Sequence, residues 1–131
     1  VTDSWVRTNV LPQLKGVKAT HTSYDDFLKA VGDCWMENKT DATMLVHMGF
    51  VVEAYLFREL VRVGAIGVWD APYTYIELAE RLEVAGFSPD SCDCYIAKYD
   101  IEKPVCEGGT HNSTYDALVA LKVYKHLQKN K

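Results

Sequence analysis

The sequence predicts an α/β domain, because short apolar runs alternate with segments of helical periodicity. Two stretches carry this reading. Thr43-Met44-Leu45-Val46-His47-Met48, bounded by Asp41 and Gly49, reads as a buried strand of a partly parallel sheet. Val51 to Val63 follows it, with Val52, Tyr55, Leu56, Glu59, Leu60 and Val63 at helical spacing and Gly64 as terminator. Ala65-Ile66-Gly67-Val68-Trp69 reads as a second strand ending at Asp70 and Pro72. Thr74-Tyr75-Ile76-Glu77 is then a full capping box opening a helix over 75–85 that stops at Gly86. The 131 residues are expected to form one domain, 1–131, of two or three layers.

The remaining elements follow from local signals. Asp3 or Ser4 caps a short helix running through Trp5 to Leu11 and halted by Pro12. Ser23-Tyr24-Asp25-Asp26 caps a longer one, in which Phe27, Leu28, Val31 and Trp35 recur at helical spacing as far as about Asn38. Its acidic first turn suits the positive end of the helix dipole. Phe87 to Gly109 is the least regular region. There Ser88-Pro89 can begin a single helical turn, Asp100 and Glu102 read as loop acids, and Lys103-Pro104 and Gly108-Gly109 read as loop. A last amphipathic helix spans about 113–128 on Ala117, Leu118, Ala120, Leu121 and Tyr124, with a basic end at Lys122, Lys125, Lys129 and Lys131.

Composition narrows the function classes. At 48% hydrophobic and 24% charged residues the chain is globular rather than disordered. A net charge of −4 argues against holding nucleic acid through a broad basic surface, though not against a nuclease whose carboxylates bind divalent cations. No apolar run approaches about 18 residues, so no membrane span is expected. Cys34, Cys92, Cys94 and Cys106 lack the density of a secreted disulfide scaffold, so reduced thiols in a cytoplasmic setting are expected and the Asn38 and Asn112 sequons are discounted. A chain opening at Val1 without an initiator methionine reads as a piece of a longer polypeptide.

His111-Asn112-Ser113-Thr114-Tyr115-Asp116 carries the chemistry. A histidine five residues ahead of an aspartate at a helix entrance puts an imidazole at the entrance and a carboxylate one turn inside, which suits metal-assisted phosphodiester cleavage. Ser113 and Asp116 equally fit a capping box in which both side chains only satisfy free amides. A second constellation, His47-Met48-Gly49-Phe50-Val51-Val52-Glu53, lies where a strand hands over to a helix, a place where α/β enzymes collect functional groups. Here too a structural role competes, with Glu53 favouring the positive end of its helix and His47 bonded to backbone in the core.

The His-x4-Asp run followed by a small-residue-rich helix resembles the third motif of the DEDDh (DnaQ-like, ribonuclease-H-like) 3′-5′ exonucleases, and Glu53 looks like the counterpart of the acid in their second motif. Glutamate is a departure from the usual aspartate there, although hard divalent cations accept either carboxylate. The order of the two motifs agrees, over about 43–128. The segments Trp5 to Pro12 and Trp69 to Tyr73 also look like small phage or bacterial exoribonuclease-like members. The family's first motif, Asp-x-Glu on an opening strand, is unmatched: Asp25-Asp26 and Glu77 to Glu80 are helical, and Asp100-Ile101-Glu102 stands after the second motif. The expectation is a ribonuclease-H-like mixed sheet flanked by helices and missing its first strands, which lie upstream, with the exposed sheet edge covered by that segment or by a second copy in a homodimer.

The resemblance implies a two-metal mechanism on nucleic acid 3′ ends, releasing nucleoside 5′-monophosphates. Asp116 and Glu53 would hold two Mg²⁺ or Mn²⁺ ions together with the missing pair, and His111 would take the proton from the attacking water. His47, Phe50 and Tyr115 are the candidate substrate-binding residues, and rings such as Phe50, Tyr73 or Tyr115 would stack on terminal bases. Two other classes remain open. One is an inactive nuclease-like domain used for binding or assembly. The other is a zinc-stabilised interaction module built on Cys92-Asp93-Cys94, Cys106 and His111.

Overall fold

Capping side chains mark where several of the helices begin. In the computed structural model, which describes residues 3–106 and 109–130, Asp3 accepts the Val6 amide and starts helix α1 (Ser4–Asn9). Ser23 accepts the Asp26 amide at the start of α2 (Tyr24–Asn38), as its sequence predicts. The chain order continues with β1 (Leu45–Val46), α3 (Glu53–Arg62), β2 (Ile76–Glu77), α4 (Leu78–Val84), α5 (Asp93–Tyr99) and α6 (Ser113–Lys129), with 3-10 turns at Leu11–Leu14 and Val68–Asp70. This is α/β in a coarse sense, helices with one two-stranded parallel sheet among the described residues. Gly108 and Lys131, read above as loop and helix end, lie outside the described residues, as does Val1. No helix among the described residues is long and apolar enough to cross a membrane.

The chain divides into two compact units, 19–78 and the described parts of 1–18 with 79–131. In the first, α2 and α3 bury Leu28 and Leu60 against Ile66, with Val31, Trp35, Leu56 and Phe57 around them. Gly32 lets α2 approach Ala65, since a Cβ there would lie 2.8 Å from the Ala65 Cβ. In the second unit Leu82, Cys92, Tyr95, Ile96 and Val123 are buried, and Tyr95 donates to or accepts from His126 Nδ1 at 2.9 Å while packing on Phe87 and Tyr99.

Several expectations are corrected. The strand over 43–48 shrinks to Leu45–Val46, because Met48 takes a left-handed conformation (φ 59°) that ends the extended run. The helix expected from Val51 starts at Glu53, since residues 47–52 form turns closed by Val51 N–H to Met48 O (3.1 Å) and Ala54 N–H to Gly49 O (2.9 Å). Ala65 to Trp69 is not a strand. Its polar groups bond locally, with Gly67 N–H donating to Asp70 Oδ2 and Asp70 N–H to Gly67 O, both at 3.0 Å, which curls the chain into a 3-10 turn. The partner of β1 is instead Ile76–Glu77, in parallel register Leu45↔Ile76 and Val46↔Glu77. Glu77 is therefore a strand residue, not the closing acid of a capping box. The irregular stretch after Phe87 contains α5, closed by Asp100 in the left-handed region (φ 49°). Gly64 and Gly86 end α3 and α4 with positive φ, as expected.

Asp70 gathers the polar contacts of its loop. Lys39 Nζ pairs with its Oδ1, Gly67 N–H reaches Oδ2, and Trp35 Nε1 donates to its carbonyl at 2.6 Å. The Lys39 ammonium, and after it the Gly67 amide, hold the Asp70 carboxyl below the ordinary aspartate value. A carboxyl depressed by folding stabilises the native state above its unfolded value of about 3.9 and loses that contribution as pH falls through the folded pKa. Melting curves from about pH 6 down to about pH 2 are therefore expected to fall less steeply on the acid side for Asp70→Asn than for the native chain. Superimposable pH profiles would remove this role.

Candidate functional site

The entrance to α6 assembles from an unusual backbone. Asn112 is the N-cap, its Oδ1 accepting the Thr114 amide at 3.0 Å, so Ser113 is the first helical residue and the Ser-x-x-Asp capping box does not form. The capping reading is corrected in detail because Asn112, one residue earlier, already satisfies the free amide. His111 stands just outside in the left-handed region (φ 70°), a conformation that costs free energy in a non-glycine residue and collects at functional sites. Its backbone N–H donates to Asp116 Oδ1 at 3.3 Å, so the two residues of the motif are tied directly together. Asp116 is exposed in the first turn, and Tyr115 beside it is half-buried. The imidazole of His111 packs edge-on with the Trp5 indole, ring centroids 5.1 Å apart, while Trp5 remains 54% exposed.

In the other unit, the turn after β1 is held by a residue whose role local pattern did not reveal. Glu77 at the end of β2 accepts the Met48 amide at 2.8 Å and the Gly49 amide at 3.0 Å. Two charge-assisted bonds to one carboxylate fix the left-handed Met48 turn and with it the start of α3. His47 follows β1 directly and is half-buried. Phe50 stands 80% exposed at the tip of the turn. Glu53 is the first residue of α3, half-buried, and lines a concavity of about 130 Å³ with Met44, Val46, Gly49, Phe57 and Tyr75. Gly49 packs where a Cβ would lie 2.7 Å from a Val46 methyl, so strand and turn meet without space for a side chain.

The structure thus brings His111 to Asp116, and it sets Glu53 one turn after His47 behind β1. His111, Tyr115 and Asp116 belong to one compact unit and His47, Phe50 and Glu53 to the other. Among the described residues no three His, Cys, Asp or Glu side chains gather as a metal-holding group, and that includes the set Cys92, Cys94, Cys106 and His111. Trp5 and Glu77 are the site residues that sequence reasoning missed. The parallel register of β2 with β1 is the signal that finds Glu77, and it exists only once the strands are paired.

The cysteines differ in reactivity. Burial pushes the Cys92 thiol up to about 11, with the nearby Asp93 charge adding to the effect, whereas Cys34 and Cys94 are exposed. Because the thiolate is the nucleophile, iodoacetamide at about pH 8 is expected to label Cys34 and Cys94 and to spare Cys92 until the chain is unfolded. Peptide mass mapping reads the result, and native-state labelling of Cys92 at the same rate as Cys94 would contradict it. Comparison of the chain with protein-family models, with curated proteins and with solved structures finds no match.

Proposed function

We propose that this chain is part of a metal-dependent 3′-5′ exonuclease of the DEDDh type, acting on RNA or single-stranded DNA. The observation that carries the reading is the His111 to Asp116 pair at the entrance of a 17-residue helix, with an exposed carboxylate and a strained histidine backbone. Glu53 in the first turn behind a strand supports it, and the parallel pairing of β1 with β2 supports a ribonuclease-H-like sheet lacking its first strands. The carboxylates of Glu53 and Asp116 are the hard oxygen donors that Mg²⁺ and Mn²⁺ take. Each belongs to its own compact unit, and a two-ion site uses more carboxylates than these, so the remaining Asp-x-Glu pair would come from a complementing segment or from a second copy.

When bound, divalent ions neutralise phosphate charge and make water acidic enough to attack near neutral pH. His111 would take the proton from the attacking water, the general-base role that imidazole commonly fills. The Asp116 bond to the His111 amide keeps the imidazole at the helix entrance. Phe50 and Tyr115 offer rings for terminal bases, and His47 lies in the same turn as Phe50. The products are nucleoside 5′-monophosphates.

The unmatched first motif favours a second reading, an inactive nuclease-like domain used for binding or assembly. A time course with Mn²⁺ on 3′- and 5′-labelled single-stranded RNA and DNA decides between them, using this chain alone and joined to its complementing segment. Stepwise, metal-dependent loss from the 3′ end is expected. Absence of cleavage by both versions would leave the binding domain.

A further inference from the structure

We infer that Trp69 and Tyr73 form a stacking platform for an unpaired nucleobase of single-stranded nucleic acid, an assignment that rests on the nucleic-acid reading above. The two rings are parallel within 17°, with centroids 6.3 Å apart, and stand 78% and 70% exposed. Lone exposed aromatics are ordinary on protein surfaces. A parallel pair on a tightly held loop is a different matter. In sequence the two ring residues flank Asp70, whose carbonyl takes the Trp35 indole N–H and whose carboxylate takes Lys39 and the Gly67 amide. Gly67 leaves room for that closure, since a Cβ there would sit 2.7 Å from Asp70 Oδ2. Ala71 leads in extended conformation into Pro72, which stiffens the approach to Tyr73. The loop is thus ordered before any ligand arrives, and ring orientation costs little at binding.

The surroundings fit a base rather than an apolar anchor. The rings border a concavity of about 360 Å³ whose lining includes the hydroxyl residues Thr40, Thr43 and Thr74, together with Lys39. Hydroxyls both donate and accept, so they can meet the edge of any base, while every base offers a flat face to a ring. Lys39 is already paired with Asp70, which leaves the pocket without a strong uncompensated charge and makes stacking its main attraction. Sequence-tolerant recognition of a single strand is the expected behaviour.

Anisotropy of labelled oligothymidine and oligouridine, measured with metal chelated by EDTA, tests the platform independently of hydrolysis. The native chain is expected to bind these strands more tightly than an abasic strand of equal length. Trp69→Ala and Tyr73→Ala should each weaken binding by about 5- to 150-fold, the usual loss on removing one stacking ring. Trp69→Phe should recover most of it, and thermal melts should leave all variants folded because both rings are exposed. Equal affinity of Trp69→Ala and the native chain, equal affinity for abasic strands, or no binding at all would overturn the assignment. So would native-chain self-association abolished by Trp69→Ala, which would give the rings to a second copy. Ring-dependent binding without any cleavage retains the platform and removes the exonuclease, whereas Asp116-dependent cleavage with ring-independent binding does the reverse.

Discussion

Replacing Asp116 by asparagine is expected to abolish metal-dependent hydrolysis by the complemented protein while leaving its fold intact. The substitution isolates charge from geometry, because the asparagine carbonyl oxygen can still accept the His111 amide that Asp116 Oδ1 accepts now. A first ligand to a divalent ion should cost more than the roughly 10- to 100-fold typical of an outer-shell partner. His111→Ala should lower turnover by about 10²- to 10⁴-fold, the usual contribution of a general base, with little change in metal affinity. If Asp116 serves only the helix end, the asparagine variant keeps its activity and loses at most about 1 kcal/mol of stability. Initial rates across an Mn²⁺ titration, beside a denaturation curve for each variant, separate the two. An active Asp116→Asn protein would end the metal-ligand role.

The largest effect on stability is expected at Leu60. Its side chain is fully buried in the cluster with Leu28 and Ile66, where α2, α3 and the segment after α3 meet. Truncation to alanine removes buried apolar surface and leaves a cavity that Gly32 and Ala65, already in close contact, have little freedom to fill. A loss of about 2–5 kcal/mol follows, a large share of the 5–15 kcal/mol that holds a typical domain together. Urea denaturation followed by circular dichroism should show a lower midpoint at unchanged slope. Leu118→Ala on α6, where the side chain is 37% exposed, is the control and should cost well under half as much. Equal losses at both positions would mean that the Leu28–Leu60–Ile66 cluster does not dominate stability.

The two sites illustrate which features a linear pattern can carry. The helix ends at Ser23, Gly64 and Gly86 were legible because a cap or a left-handed glycine acts on residues within one turn of itself. His111 and Asp116 were legible for the same reason, as five residues of chain fix their proximity once α6 forms. Even so, the sequence placed the cap one residue late, since Asn112 and Ser113 are both good caps and only the φ and ψ of the folded turn choose between them. Glu53 was legible as an acid opening a helix, because an acidic residue there is favoured whether or not it has a further role.

The strand pairing and the role of Glu77 failed because each depends on a distant partner. Ala65 to Trp69 has the apolar content of a strand, yet Asp70 bonds back to Gly67 and turns it, while Ile76–Glu77 gains a ladder through Ile76 N–H to Met44 O at 2.9 Å. Strand propensity measures fit to a pleated, half-buried surface, and that surface exists only where β1 lies alongside. Glu77 changed from a presumed cap to the clamp on the Met48 turn for the same reason. The sequence by itself determined the coarse α/β character, the helix ends at Ser23, Gly64 and Gly86 and the proximity of His111 to Asp116, all set by interactions within a few residues. Only the tertiary structure decided which segment pairs with β1, what Glu77 and Asp70 hold in place, and that Trp69 and Tyr73 stand in water, because those outcomes are settled by contacts between residues roughly thirty positions apart, whose free energy no local window contains.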